Sequence, residues 1–443
     1  MTTTHAPHQV PPFTGNLDAD AAALRGYAEL VDQRLADLPP KPDRTAAEHS
    51  TADDLLRSSR RARSNFMARH GAAVFAALTE QGTLRPRIAE LVASAAERFP
   101  GLVPTAEQLA AERGHIQADK EGREIDQAIF FHHLFGIPAA GRHLVESMLR
   151  PTARALELLS DFRQHGSLNL GTVQLERDGG IGRVTICNTH CLNAEDNRLV
   201  ADLETAIDLV LLDDQIRVGL LRGTTMTHPR YAGRRVFSAG INLKHLHQGQ
   251  ISYVDFLLGR ELGCLSKLIR GLRVADDPFT EAVEPTEKPW VAAVDTFAIG
   301  GGMQILLACD RVVAGADAYF SLPAAQEGIV PGVANLRLGP LVGGRLARDV
   351  ILAGRKLWAS TPEGRLICDE VVDPTEVGVA ADRAAERLGV PAVVANRHML
   401  NLSEEPVDAF VAYLARFALV QGLRLYSADV LSKVRGWAGE GRS

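Results

Sequence analysis

From Asp18 to about Gly166, apolar residues recur at spacings of three and four. Ala21, Ala22, Ala23 and Leu24 lead into Tyr27, Leu30 and Val31; Ala73, Val74, Ala76, Ala77 and Leu78 repeat the pattern, as do Leu144, Val145, Met148 and Leu149. That period is the signature of helices with one buried stripe. Pro39-Pro40-Lys41-Pro42, Phe99-Pro100-Gly101 and Gly136-Ile137-Pro138 punctuate the stretch, because proline and glycine stop helices. Nothing here alternates as a strand would, so residues 18–166 are predicted to be a helical N-terminal domain. Residues 1–17 are polar, contain Pro7, Pro11 and Pro12, and read as a mobile arm.

After Gly166 the texture becomes β-rich. Val173-Gln174-Leu175-Glu176-Arg177-Asp178-Gly179-Gly180-Ile181-Gly182-Arg183-Val184-Thr185-Ile186 reads as a hairpin about a Gly-Gly turn. Short strands and helices then alternate through Pro331, which predicts an α/β core over 167–334. No internal repeat is visible in it. Beyond Ala334 helices return, clearest at 394–400 and 406–411, giving a C-terminal helical region over 335–443.

Two glycine-centred loops carry the candidate chemistry. Phe237-Ser238-Ala239-Gly240-Ile241-Asn242-Leu243 follows the apolar run Val218-Gly219-Leu220-Leu221, and Ile299-Gly300-Gly301-Gly302-Met303-Gln304 follows Val291-Ala292-Ala293-Val294. The second loop opens a helix, since Met303 to Cys309 is rich in good helix formers. Glycine permits close backbone approach, and a helix N-terminus offers free N–H groups to negative charge. Two such N–H groups, one from each loop, are the ingredients of an oxyanion hole.

On these loops the chain resembles the crotonase (enoyl-CoA hydratase/isomerase) superfamily. The resemblance runs from about Leu168 to about Ala380 and also takes in the hairpin, Leu192-Asn193-Ala194-Glu195, Cys309-Asp310-Arg311-Val312-Val313 and Gly328-Ile329-Val330-Pro331-Gly332. It implies an α/β fold, a crotonase-like ββα spiral core flanked by the all-helical N-terminal extension and the C-terminal helices. It implies that the N–H groups of Ile241 and Gly301 polarise an acyl-CoA thioester, with Ala239, Gly240, Leu243 and Gly302 along the acyl-CoA path. It also implies a homo-oligomer, trimer or hexamer, assembled through the C-terminal helices.

Hydratases of that family carry one glutamate two residues after the Gly-Gly-Gly run and another after the proline ahead of Gly-x-x-Pro-Gly. Here those positions hold Gln304 and Ala324. Neither moves a proton, and hydration needs an acid and a base. Glu327 lies three residues further on, in the wrong register to substitute. The apolar residues Ala324, Ala325, Ile329 and Val330 suit a dry pocket for dioxygen. Together with the helical extension, this resembles the cofactor-independent dioxygenase branch of the superfamily, which serves dihydroxyphenylglycine formation for glycopeptide antibiotics.

The reaction so implied converts 3,5-dihydroxyphenylacetyl-CoA and O2 to the arylglyoxylate and free CoA through an enolate, with no cofactor, metal or flavin. Buried ring hydroxyls require polar partners. Glu195 and Arg260 are the candidates, with Gln304 as a third; the plain alternatives are helix N-terminal charge compensation for Glu195 and a surface ion pair for Arg260. His228, Arg230 and Tyr231 are candidates for CoA phosphate or adenine, in a stretch, 224–235, that reads equally as a solvated loop. No general base is assigned. The alternatives are another crotonase-type reaction, thioester hydrolysis or isomerisation, and a non-catalytic CoA-binding subunit. The extra N-terminal helices are expected to exclude water from the site of their own or a neighbouring subunit.

Composition narrows the partners. Lys plus Arg less Asp plus Glu is 48 − 54 = −6 over 443 residues, which gives no reason to expect nucleic acid or an anionic membrane. Cys187, Cys191, Cys264, Cys309 and Cys368 are scattered without a paired framework, as suits a reducing cytoplasm, and no stretch is apolar enough to span a bilayer. The ligand types at Cys187-Asn188-Thr189-His190-Cys191, His245-Leu246-His247 and His132-His133 lack structural-zinc spacing, and neither a Rossmann nor a Walker motif occurs.

Overall fold

A computed structural model describes residues 10–274 and 286–433. Residues 1–9 of the expected mobile arm lie outside the described residues. The chain divides into two compact units. One comprises residues 10–147 together with 244–254 and 411–433; the other comprises 148–243 and 255–410.

The first unit is helical, with helices at Leu17–Ala36, Ala46–Leu78, Ile88–Arg98, Ala106–Arg113, Glu124–Phe135 and Pro138–Met148. Helix starts follow side-chain chemistry. Asn16 caps the first helix, and Thr45 with Glu48 forms a reciprocal capping box on the second. Part of the expected arm is held down: Asp20 accepts from Thr14 N and Gly15 N, and the Phe13 ring meets Phe66 edge-on at 5.7 Å. The unit is not a contiguous N-terminal piece. It draws in residues 244–254 through the bond from Tyr253 N to Glu124, and the helix Val407–Arg424 through Tyr253 Oη to Ala418 O.

Among the described residues the second unit has ten strands: β1 (Ser167–Asn169), β2 (Val173–Asp178), β3 (Ile181–Ile186), β4 (Val218–Gly223), β5 (Trp290–Val294), β6 (Phe297–Ile299), β7 (Arg311–Gly315), β8 (Tyr319–Ser321), β9 (Leu357–Trp358) and β10 (Glu370–Val372). Seven form one sheet in the order β1-β2-β3-β4-β5-β7-β10, antiparallel from β1 to β3 and parallel from β3 on. The β2–β3 turn is made by Gly179 and Gly180, both at positive φ (54° and 89°), as a tight two-residue hairpin demands. β5 is buried throughout, so its run carries no polar alternation. One face of the sheet packs on an alanine stripe of helix Val377–Leu388 (Ala380, Ala381, Ala384, Ala385), the other on helices Ala153–His165 and Asn197–Leu212.

β6, β8 and β9 make a second, three-stranded sheet. β6 departs from the expectation that the second glycine loop follows the run at 291–294 directly. The helix that begins at Gly301 ends at Leu306, shorter than the apolar run to Cys309 had suggested, because the chain turns there to enter β7. No single helix among the described residues is long and apolar enough to cross a membrane.

Candidate active site

The two glycine loops meet because β6 lies beside the first of them. Ser238 pairs in parallel with Ala298, and Ile299 N donates to Ser238 O at 2.9 Å. At the crossing the backbones are too close for side chains: a Cβ on Gly240 would stand 3.0 Å from Ile299 O and 3.4 Å from Gly300 Cα. Gly240 and Gly300 also adopt positive φ, 86° and 53°, which favours glycine.

The first loop is held from its other side by Glu195. Glu195 N donates to Gly240 O (2.6 Å) and Asn242 N donates to Glu195 O (2.8 Å). Ile241, between those two bonds, therefore turns its N–H away from Glu195. Gly301 is the first residue of its helix and its N–H precedes the helical ladder. Among the described residues neither Ile241 N nor Gly301 N donates to a protein acceptor. Two N–H groups left free on touching loops are what an oxyanion requires.

The approach to Glu195 is built by Leu192 and Asn193, both left-handed (φ 54° and 57°). Asparagine tolerates that conformation, and Asn193 Nδ2 donates to Ile186 O (3.0 Å) and Val236 O (2.7 Å), fastening the turn to β3 and the first loop. The next helix is capped by Asp196, whose side chain accepts from Leu199 N at 3.0 Å. Charge compensation at that helix start thus belongs to Asp196, and the Glu195 carboxylate turns elsewhere.

It turns to Arg260. Arg260 Nε donates to Glu195 Oε2 (2.5 Å) and Nη2 reaches Glu195 Oε1 (3.4 Å). Nη1 donates to Glu261 Oε1 (2.9 Å) and Gln304 Oε1 (2.8 Å), while Nη2 also donates to Gly301 O (2.7 Å). These five contacts occupy the five N–H groups of the guanidinium. Arg260 is only 5% exposed, which excludes a surface ion pair. Burial works against its charge, but Glu195 and Glu261 outweigh it and hold the proton more tightly than usual. Because Arg260 only donates, Gln304 must present its oxygen to it and turn its NH2 group the other way, where it meets no protein acceptor among the described residues.

Arg260 opens a π-helical segment, Arg260–Leu265, a winding that recurs at functional sites. There the adjacent side chains of Arg260 and Glu261 both enter the same cluster. Sequence reasoning missed Glu261; its adjacency to Arg260 was the available signal. It also missed Ser238, whose Oγ accepts from Gly240 N (3.1 Å) and donates to Glu195 Oε1 (3.3 Å), tying the first loop to the carboxylate.

The remaining candidates scatter more. Ala239, Ile241 and Leu243 are half-buried along the first loop, whereas Gly302 is buried against Ser238, 2.7 Å from where its Cβ would be. Ala324 is buried, Ile329 and Val330 are half-buried, and Ala325 is exposed on the short helix Ala324–Glu327. His228 and Arg230 are exposed and gathered around the half-buried Tyr231, with the Arg230 guanidinium 5.6 Å from the ring centre. Among the described residues no three His, Cys, Asp or Glu side chains are grouped as a metal ion would need.

Residues 176–399 match the enoyl-CoA hydratase/isomerase family. The chain is 53% identical over 423 residues to the (3,5-dihydroxyphenyl)acetyl-CoA 1,2-dioxygenase of Amycolatopsis orientalis, covering 96% of this chain and 97% of that one. It is 29% identical to a short-chain-enoyl-CoA hydratase of Clostridium acetobutylicum, an alignment that covers 54% of this chain and 82% of the hydratase. Among solved structures, an enoyl-CoA hydratase from Mycobacterium avium subsp. paratuberculosis matches its fold over 60% of this chain and 99% of that one, with a TM-score of 0.50 and 22% identity.

Proposed function

The chain belongs to the enoyl-CoA hydratase/isomerase family, and within it we propose that this protein is a dioxygenase that converts 3,5-dihydroxyphenylacetyl-CoA and O2 to 3,5-dihydroxyphenylglyoxylate and CoA. The observation that carries this reading is the extent of the likeness to the Amycolatopsis dioxygenase. It spans 96% of the chain, helical unit included, where the likeness to the Clostridium hydratase spans 54%. Gln304 and Ala324 agree with it, since both stand where hydration would need carboxylates.

The chemistry follows from the site. Both the aryl ring and the thioester acidify the α-C–H bond of the substrate. Its first proton leaves as negative charge builds on the thioester oxygen, where the N–H groups of Ile241 and Gly301 receive it. The enolate supplies the electrons that reduce O2, and a C–O bond forms at the α-carbon. The terminal peroxide oxygen then attacks the thioester carbonyl, the C–S bond breaks, and CoA departs as the thiolate. Breakage of the O–O bond with loss of the second α-proton leaves the keto group and the carboxylate. One proton returns to the thiolate and the other balances the carboxylate, so the substrate itself provides every electron and no cofactor takes part.

Glu195 and Gln304 read the ring hydroxyls in this scheme, as acceptor and donor, with Arg260 between them. Ala324, Ile329 and Val330 wall the α-carbon. Arg230 and Tyr231 serve the nucleotide end of CoA. The protein works as a homo-oligomer in the reducing cytoplasm; the exposed apolar residues Leu341, Leu366 and Leu400 beside one cleft of the second unit support an interface there, and sedimentation would read the subunit number. The test of the reaction is turnover of the thioester by metal-stripped protein with and without O2. Oxygen uptake matching thiol release supports the dioxygenase; thiol release at the same rate without O2 would mean hydrolysis instead.

A further inference from the structure

We propose that Glu261 is a positioning residue that sets recognition of the ring hydroxyls, by fixing Arg260 against Glu195 and Gln304 and by tying that cluster to the loop 328–333. The proposal rests on the dioxygenase reading. Glu261 is 2% exposed, and its two oxygens divide their work. Oε1 accepts from Arg260 Nη1 at 2.9 Å, and Oε2 accepts from Val333 N at 3.3 Å with the Arg337 guanidinium 3.7 Å away. The same Arg260 nitrogen donates to Gln304 Oε1, so one nitrogen joins Glu261 and Gln304.

Gly332 makes this convergence possible. A Cβ there would stand 2.2 Å from Glu261 Oε1 and 2.6 Å from Gln304 Oε1, and the residue holds φ at 48°. The loop carrying Ile329 and Val330 is therefore closed directly upon the two oxygens that hold Arg260.

The charges show why a lone Arg260–Glu195 pair would not be held so rigidly. Arg337 is bonded to Glu405 (2.7 Å), which also takes Arg270 (2.6 Å). Glu195, Arg260, Glu261, Arg337, Glu405 and Arg270 form a buried row of alternating sign with no net charge. Burial pushes the Glu261 carboxyl up against the pull of the two arginines. Without Glu261, two buried guanidinium groups would face each other across the row, an arrangement that low dielectric penalises heavily. Arg260 would then swing, and with it the orientation it imposes on the Gln304 amide.

The experiment compares dissociation constants of 3,5-dihydroxyphenylacetyl-CoA and phenylacetyl-CoA, measured without O2, in the parent protein and in Glu261→Gln and Glu261→Ala. Both ligands share the CoA and the aryl ring, so a general loss of structure shifts both alike and leaves their ratio unchanged. Glu261→Ala should lower the preference for the dihydroxy ligand about tenfold. Glu261→Gln keeps an oxygen for Arg260 but sets an NH2 group against Val333 N–H, and should lower it by about threefold. An unchanged ratio in either folded variant overturns the proposal; if the alanine variant does not fold, the glutamine variant decides. Oxygen uptake by the parent protein is measured alongside. Its absence would contradict the dioxygenase reading alone, because the binding ratio still judges Glu261.

Discussion

The Glu195 carboxylate occupies the space that a side chain on Gly301 would need. A Cβ added to Gly301 would lie 2.3 Å from Glu195 Oε1 and 2.6 Å from Glu195 Cδ. One residue therefore carries an N–H proposed for the oxyanion hole and also seats the carboxylate proposed to read the ring. Gly301→Ala should displace either the N–H or Glu195, and lower kcat by about a hundredfold or more while the protein stays folded. Steady-state kinetics beside a melting curve checks this, and near-parent kcat would contradict it.

Arg260 has two buried carboxylates to balance, so its loss is structural as well as functional. Arg260→Ala should destabilise the second unit by ~3–5 kcal/mol, the range for stripping one partner from a buried pair. Lysine should rescue little, because one ammonium cannot reproduce the fork that bonds Glu195, Glu261, Gln304 and Gly301 O. Denaturant unfolding of both variants reads this.

Asp196 separates helix capping from ring reading. Asp196→Ala removes the cap on Leu199 N and should cost ~1 kcal/mol of stability. The preference for the dihydroxy thioester over phenylacetyl-CoA should stay at the parent value. A changed preference would mean that the neighbouring Glu195 is not positioned independently of the cap.

His133 should make the helical unit sensitive to acid. Burial, and secondarily the nearby His132, lowers its pKa from 6.5 to about 4, and its Nε2 meets Ser64 Oγ at 3.0 Å. A depressed histidine favours the folded state while neutral, so its contribution is complete above pH 6.5 and is lost as pH falls toward 4. His133→Gln should flatten the fall of Tm across that window. An identical pH profile in parent and variant would remove His133 from the cause.

Much of this was legible in the chain. Glycine runs after apolar strands located the two loops that meet at the candidate site, and the Gly-Gly hairpin and the N-terminal helices follow from local periodicity. β6, β9 and β10 were not legible, since two or three residues hold too little alternation to register and their pairing partners lie far along the chain. Arg260 could be selected as a residue type near a motif, but its five contacts go to four residues in three segments and depend on a π-helical winding that no local pattern announces. Glu261 escaped for the same reason: a carboxylate beside an arginine in sequence reads as a solvated pair until burial is known.

The most direct test of the central claim is turnover of 3,5-dihydroxyphenylacetyl-CoA under ¹⁸O2 in ordinary water, with mass spectrometry of the keto acid. The mechanism places one oxygen atom of O2 in the new keto group and the other in the carboxylate. It predicts a product heavier by two labelled atoms, formed by metal-stripped protein. A product carrying a single label, or none, would contradict it.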